Sequence, residues 1–133
     1  MTTNNPYFEL AYVSTLAPDA PIAVVADIAR RSRAYNELNQ LTGLIVFDGE
    51  RFAQQLEGDE DRVLEVTEKI RQDARHVDMR IFYRGKLASR RFKKFGLGFA
   101  DVEKYDLGPL EHLKSASAIN FFVNLVPTLD WTA

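Results

Sequence analysis

The stretch Phe52-Ala53-Gln54-Gln55-Leu56-Glu57-Gly58 puts an amide where a strand would ordinarily carry an apolar side chain. Read with a period of two, Phe52, Gln54 and Leu56 share one face, so Gln54 sits between two large apolar neighbours. A buried amide without partners costs on the order of 1–3 kcal/mol, so the pattern predicts that Gln54 bonds to another side chain, a water or a ligand. Just upstream, Asp48-Gly49 separates this run from Leu44 to Phe47, the signature of a β-hairpin. Just downstream, Gly58 breaks the strand, and Asp59, Glu60 and Asp61 open a helix with the charge sign its N-terminus favours. Val63, Val66, Thr67 and Ile70 form its apolar stripe, and the helix should stop by Arg75.

Working outward, Phe8 to Ser14 reads as a strand with Phe8, Leu10 and Tyr12 on one face. After a connection from Leu16 to Pro21, Asp19 is the expected N-cap of a helix whose apolar positions are Ile22, Val25, Ile28 and Ala29. Arg30, Arg31 and Arg33 are expected near its C-terminal end, and the helix should finish near Asn36. Met79 to Tyr83 and Leu97 to Phe99 read as further strands, separated by a basic loop with Arg90, Arg91, Lys93 and Lys94. Residues from about Leu107 to Val126 read as helical, limited by Pro127. The C-terminal apolar residues Ile119, Phe121, Phe122, Val123, Leu125 and Val126 cover more than one helical face, which suits packing on the open side of the sheet, with a dimer contact as the second option.

The order β-α-β-β-α-β-β predicts an α+β, ferredoxin-like sheet with two helices on one face and a C-terminal helical extension. Residues 8–102 would form the main domain and 103–133 the extension, which packs on the sheet or at a dimer interface. In this layout the first and third strands are neighbours, bringing Tyr12 and Gln54 together on the face that the helices cover.

Composition limits the functional classes. The 133 residues are 46% hydrophobic and 11% aromatic, enough for one domain with a true core. Seventeen basic against nineteen acidic residues give a net charge of -2, with no global pull toward nucleic acid or membrane. The basic run from Arg84 to Lys94 lacks an aromatic platform and reads as a solvated loop. Without cysteine the chain has no disulfide, thiolate metal site or cysteinyl adduct, which fits a cytoplasmic protein. The N-terminal residues are polar and lack an apolar run of signal-peptide length.

Four segments carry a specific resemblance: Leu10-Ala-Tyr12-Val-Ser14; Asn36 followed by Leu41-Thr42-Gly43-Leu44; Phe52-Ala-Gln54-Gln-Leu56-Glu57-Gly58; and Ile70-Arg-Gln-Asp73-Ala-Arg75-His76. In this order and spacing they resemble the BLUF family of flavin-binding blue-light receptors, over most of residues 8 to 99. The resemblance implies an isoalloxazine ring between the two helices, belonging to FAD, with FMN the alternative. It implies Tyr12 as electron and proton donor, Gln54 as the switching amide, and Asn36 as the anchor of the ring's polar edge. Ile28 and Ile70 would form apolar walls, Ser32 and Phe52 would line the site, and Asp73, Arg75 and His76 would lie near the flavin or its ribityl chain. The implied output is a contact with a separate signalling protein or within a homo-oligomer, with no substrate turnover and no metal.

Taken singly, these residues have plainer readings. Tyr12 and His76 could be satisfied core residues, Thr42-Gly43 could be turn chemistry, and Asp73, Arg75 and His76 could cap a helix end. An acylphosphatase-like enzyme on the same fold would need an Arg in a Gly-rich loop after the first strand, and Ser14 to Pro18 offers none. A light-insensitive interaction module with an apolar core in place of flavin is the third reading. The chain also departs from the family at Phe95 and Leu97, where many members carry Trp and Met, and at Tyr35, where Asn or His is frequent. Its only tryptophan is Trp131.

Overall fold

The computed structural model describes residues 6–99, 107–126 and 130–132. The strands are β1 (Tyr7–Leu16), β2 (Thr42–Phe47), β3 (Arg51–Gly58), β4 (His76–Leu87), β5 (Phe95–Phe99) and β6 (Asp130–Thr132). The helices are α1 (Val24–Leu38), α2 (Glu60–Arg71) and α3 (Ser115–Leu125). The strands form one six-stranded sheet in the order β4-β1-β3-β2-β5-β6. The β4-β1-β3-β2 part, all antiparallel, has the expected ferredoxin-like layout. It is extended by β5, parallel to β2, and by β6, a short edge strand that the sequence reading did not contain.

Each face of the sheet has its own core. Leu10, Tyr12, Ile45, Phe52 and Leu56 face α1 and α2, where they pack with Val25, Ala29, Val63 and Val66. The alternate residues Ala11, Val13, Leu44, Val46 and Ala53 face the other way, onto Ala118, Ile119, Phe122 and Leu125 of α3. Period-two alternation therefore sorts β1, β2 and β3 into two buried surfaces.

Several local expectations change. Asp19 does not cap α1: the N-cap is Ala23 and has no side-chain bond. The Pro21 and Ile22 carbonyls accept from the N–H groups of Val24 and Val25, so a tight backbone turn serves two donors a side-chain cap would otherwise take. The helix continues to Leu38, which leaves Arg30, Arg31 and Arg33 mid-helix with no cation in the last turn; Arg30 and Arg31 pair with Asp27 instead. The helical tail is broken into a 3-10 turn at Gly108–Glu111, with Pro109 at its second position, and α3, because Leu113 and Lys114 leave helical geometry. Pro127 lies outside the described residues.

The basic loop is anchored rather than freely solvated. Its carboxylate partners are Glu9 and Glu57, which are buried on the α3 side of β1 and β3 and joined to each other by Gln55 Nε2. Glu57 accepts from the backbone N–H groups of Arg91 and Phe92, each at 3.0 Å, from Thr42 Oγ1 at 2.7 Å and from Gln55 Nε2 at 2.9 Å. Arg91 donates to both carboxylate oxygens of Glu9, at 2.7 and 2.9 Å, and Arg90 reaches the Gln40 and Glu57 carbonyls. Buried carboxylates need such partners, and the loop supplies them. Gly43 lies within β2, not in a turn, with φ +146°. A Cβ there would stand 2.0 Å from the Gln55 carbonyl oxygen, so glycine is required by the close approach of β3.

Candidate functional site

Tyr12 and Gln54 are opposed residues of the antiparallel β1–β3 pair, and the Tyr12 hydroxyl donates to Gln54 Oε1. Both are buried, at 2% and 1% exposure. The expected partner of the buried amide is therefore a phenol. Gln54 Nε2, however, has no partner, and neither Oδ1 nor Nδ2 of Asn36 has one, although Asn36 is only 1% exposed.

These atoms border a cavity of about 340 Å³ between α1 and α2. Its walls are Arg31, Ser32, Tyr35 and Asn36 from α1, Val66, Lys69 and Ile70 from α2, Asp73, and Gln54 from the sheet below. A narrower space of about 50 Å³ shares Arg31, Ser32, Gln54, Ile70 and Asp73 with it and continues to Tyr12, Ile28, Ile45, Phe52, Arg75 and His76. Every site position named from the sequence borders one or both spaces.

The edge of the narrower space is charged and tied. Arg75 donates to Asp73 through Nε and Nη2 and to Asp27 Oδ2 through Nη1 at 3.0 Å, joining the segment after α2 to α1. The guanidinium beside it holds the Asp73 carboxyl below its usual range. Asp73 also accepts from the Arg75 backbone N–H at 2.9 Å, so it shapes the turn after α2 as well as bordering the cavity. His76 Nδ1 lies 2.9 Å from Ser14 Oγ, and burial, with the Arg75 charge acting in the same direction, lowers the imidazole pKa. Burial raises the Tyr12 phenol pKa, with the Asp73 charge acting in the same direction. A neutral phenol and a neutral imidazole thus sit side by side, ring centroids 6.2 Å apart.

Sequence reasoning missed Arg31, Ile45, Val66 and Lys69 as cavity residues, and treated Tyr35 only as a departure. Val66, Lys69 and Ile70 follow an i, i+3, i+4 pattern, which already placed Lys69 on the cavity face of α2. Ile45 follows from its register opposite Gln54. Phe95 is buried in the core on the α1–α2 side; Leu97 pairs with Ile45 through the β2–β5 ladder.

The donor set suits a flat heteroaromatic ring. Ile28, Ile70 and Phe52 are apolar, while Asn36 and Gln54 present unused donors and an unused acceptor at buried positions. Among the described residues no cluster of His, Asp and Glu could hold a metal ion, and no helix is long and apolar enough to cross a membrane.

Comparison with known proteins agrees with this chemistry. The chain is 29% identical over 97 residues to the blue light- and temperature-regulated antirepressor BluF of Escherichia coli strain K12, covering 73% of this chain and 24% of that protein. It therefore spans about a quarter of that relative's length. The photo-activated state of BlsA superimposes with a TM-score of 0.81 at 20% identity, covering 96% of this chain and 99% of that one, a likeness of fold. Klebsiella pneumoniae BlrP1 with FMN and cyclic diGMP gives a TM-score of 0.66 at 28% identity, covering 86% of this chain and 30% of that one. The family profile described as sensors of blue-light using FAD matches residues 7–98, and the chain belongs to the BLUF family of flavin-binding blue-light sensors.

Proposed function

We propose that this chain is a cytoplasmic blue-light photoreceptor that holds FAD, with FMN the alternative, between α1 and α2 and signals without turning over a substrate. One observation carries the reading: the buried polar atoms of Asn36 and Gln54 that lack partners border the same cavity. When bound, the flavin supplies visible absorption and a strongly oxidising excited state.

The residues divide the remaining work. Asn36 offers one acceptor and an amide donor to the ring's polar edge, and Ile28, Ile70 and Phe52 exclude water from its faces. Ser32 lines the same wall, while Asp73, Arg75 and His76 close the edge near the ribityl chain. Tyr12 gives the electron and then its proton, which has an acceptor in place because the hydroxyl donates to Gln54 Oε1. Gln54 would then rotate or tautomerise, exchanging the donor and acceptor that it presents to the ring, while the electron and proton return to Tyr12, so that neither the phenol nor the ring is left changed in oxidation state. A new donor at a ring carbonyl shifts the absorption to the red.

In this proposal residues 8–102 form the sensing unit and 103–133 an extension, with the output passed to a separate protein or within a homo-oligomer. Dark and blue-light spectra of the purified chain test the reading. The expected result is a flavin spectrum with a reversible red shift; recovering no flavin from protein expressed with excess riboflavin overturns it.

A further inference from the structure

Tyr35 places a second phenol on the cavity that Gln54 and Asn36 border, and its hydrogen bonding is opposite to that of Tyr12. Tyr12 donates its hydroxyl proton to an amide oxygen. The Tyr35 oxygen instead accepts from Lys69 Nζ at 2.9 Å, and the same ammonium lies 4.6 Å from the centre of the Tyr35 ring. Lys69 comes from α2 and Tyr35 from α1, so the pair spans the cavity wall on which the two helices face each other.

We propose that Lys69 is a positioning residue for the photochemistry: its ammonium keeps Tyr35 from competing with Tyr12 as electron donor to a photoexcited flavin. The inference rests on the flavin reading above. Any phenol beside an excited flavin is a candidate one-electron reductant. Electron loss from Tyr35 would create a positive charge on a ring that already carries a cation beside its oxygen and over its face, and like charges oppose that step. The ammonium also cannot take up the phenolic proton, having no acceptor site. An electron that did leave Tyr35 would return from the reduced flavin to the oxidised phenol, with no net bond made or broken and no change at Gln54. Such a cycle shortens the excited-state lifetime and wastes the photon. Tyr12 differs at both steps: it has no cation on its oxygen, and its proton has an acceptor.

The test uses Lys69→Met, Lys69→Arg, Tyr35→Phe and the double variant Lys69→Met/Tyr35→Phe in the flavin-loaded protein, reading flavin fluorescence lifetime and the yield of the red shift. Binding of riboflavin to each flavin-free protein is measured beside them. Lys69→Met should lower both lifetime and yield by about twofold to fivefold, a modest factor because the ammonium is exposed and partly screened. Lys69→Arg should stay near wild type. The double variant should recover the wild-type values or exceed them, and the riboflavin titrations set the flavin loading at which the variants are compared. A purely structural role for Lys69 predicts losses that Tyr35→Phe does not restore. Unchanged lifetime in Lys69→Met, or a loss that persists in the double variant, overturns the proposal while leaving the flavin reading intact. A wild-type chain that binds no flavin overturns both.

Discussion

The Tyr12 hydroxyl donates to Gln54 Oε1 across directly opposed positions of β1 and β3, leaving the amide nitrogen of Gln54 buried without a partner. The amide is therefore oriented on one side and unsatisfied on the other. That is the condition in which a ligand acceptor at Nε2, or a reversal of the amide, changes the energy of the whole group. The relationship depends on two strands far apart in sequence and on a hairpin that fixes which residue of β3 faces Tyr12.

Tyr12→Phe should fold, retain flavin and lose the light-induced red shift, because only the hydroxyl is removed. Gln54→Leu should likewise stay yellow and lose the shift. A double-mutant cycle on chemical denaturation of the flavin-free protein should give a coupling of about 0.5–1.5 kcal/mol, the size of one buried neutral hydrogen bond. A full reversible shift in either single variant would falsify the proposed photochemical roles.

Asn36→Leu should have opposite effects on stability and on binding. Both polar atoms of the Asn36 side chain are buried without partners, so their removal should stabilise the flavin-free fold by about 1 kcal/mol. The same change should weaken riboflavin binding by roughly three- to tenfold or more, through loss of the ring anchor. Urea titration and fluorescence quenching measure the two; a variant destabilised without flavin would show that Asn36 is satisfied in solution by other means.

Gly43→Ala should be strongly destabilising, by about 1–3 kcal/mol, because β3 would have to move from a Cβ that falls 2.0 Å from the Gln55 carbonyl oxygen. Its φ of +146° adds backbone strain for any other residue. A urea midpoint equal to wild type would show that β2 and β3 separate more readily than their packing indicates.

His76 makes stability depend on pH. Its folded pKa lies below the ordinary 6.5, so as pH falls past about that value the unfolded chain takes up a proton that the folded chain resists. The His76 contribution is thus fully present above pH 6.5 and is lost as pH falls toward the folded pKa. Asp73, whose carboxyl is held below its ordinary 3.8, adds a second decline: its contribution is present above 3.8 and is lost as pH falls through the lowered value. Stability measured between pH 7.5 and 5 should decline in wild type and flatten in His76→Gln, which can still bond to Ser14.

Local chemistry made much of this protein legible in its sequence. The Asp48-Gly49 turn, the alternation in β1 and β3 and the stripe in α2 specify the hairpin, the faces and the crossover, since each follows from steric rules acting over a few residues. Strand order then put Tyr12 beside Gln54. Distant partners needed the tertiary structure. Glu9, Gln55 and Glu57 alternate with the apolar residues of the helix-facing side, yet they are buried, because the loop before β5 brings Arg91 to Glu9 and two backbone N–H groups to Glu57, and Gln55 bridges the two carboxylates. The spacing of α2 puts Lys69 beside Val66 and Ile70, but only the approach of α1 shows which oxygen it holds. Alternation says which side of a strand a residue faces, but not what lies opposite; that depends on long-range packing, where each contact joins segments whose sequences contain no local record of each other.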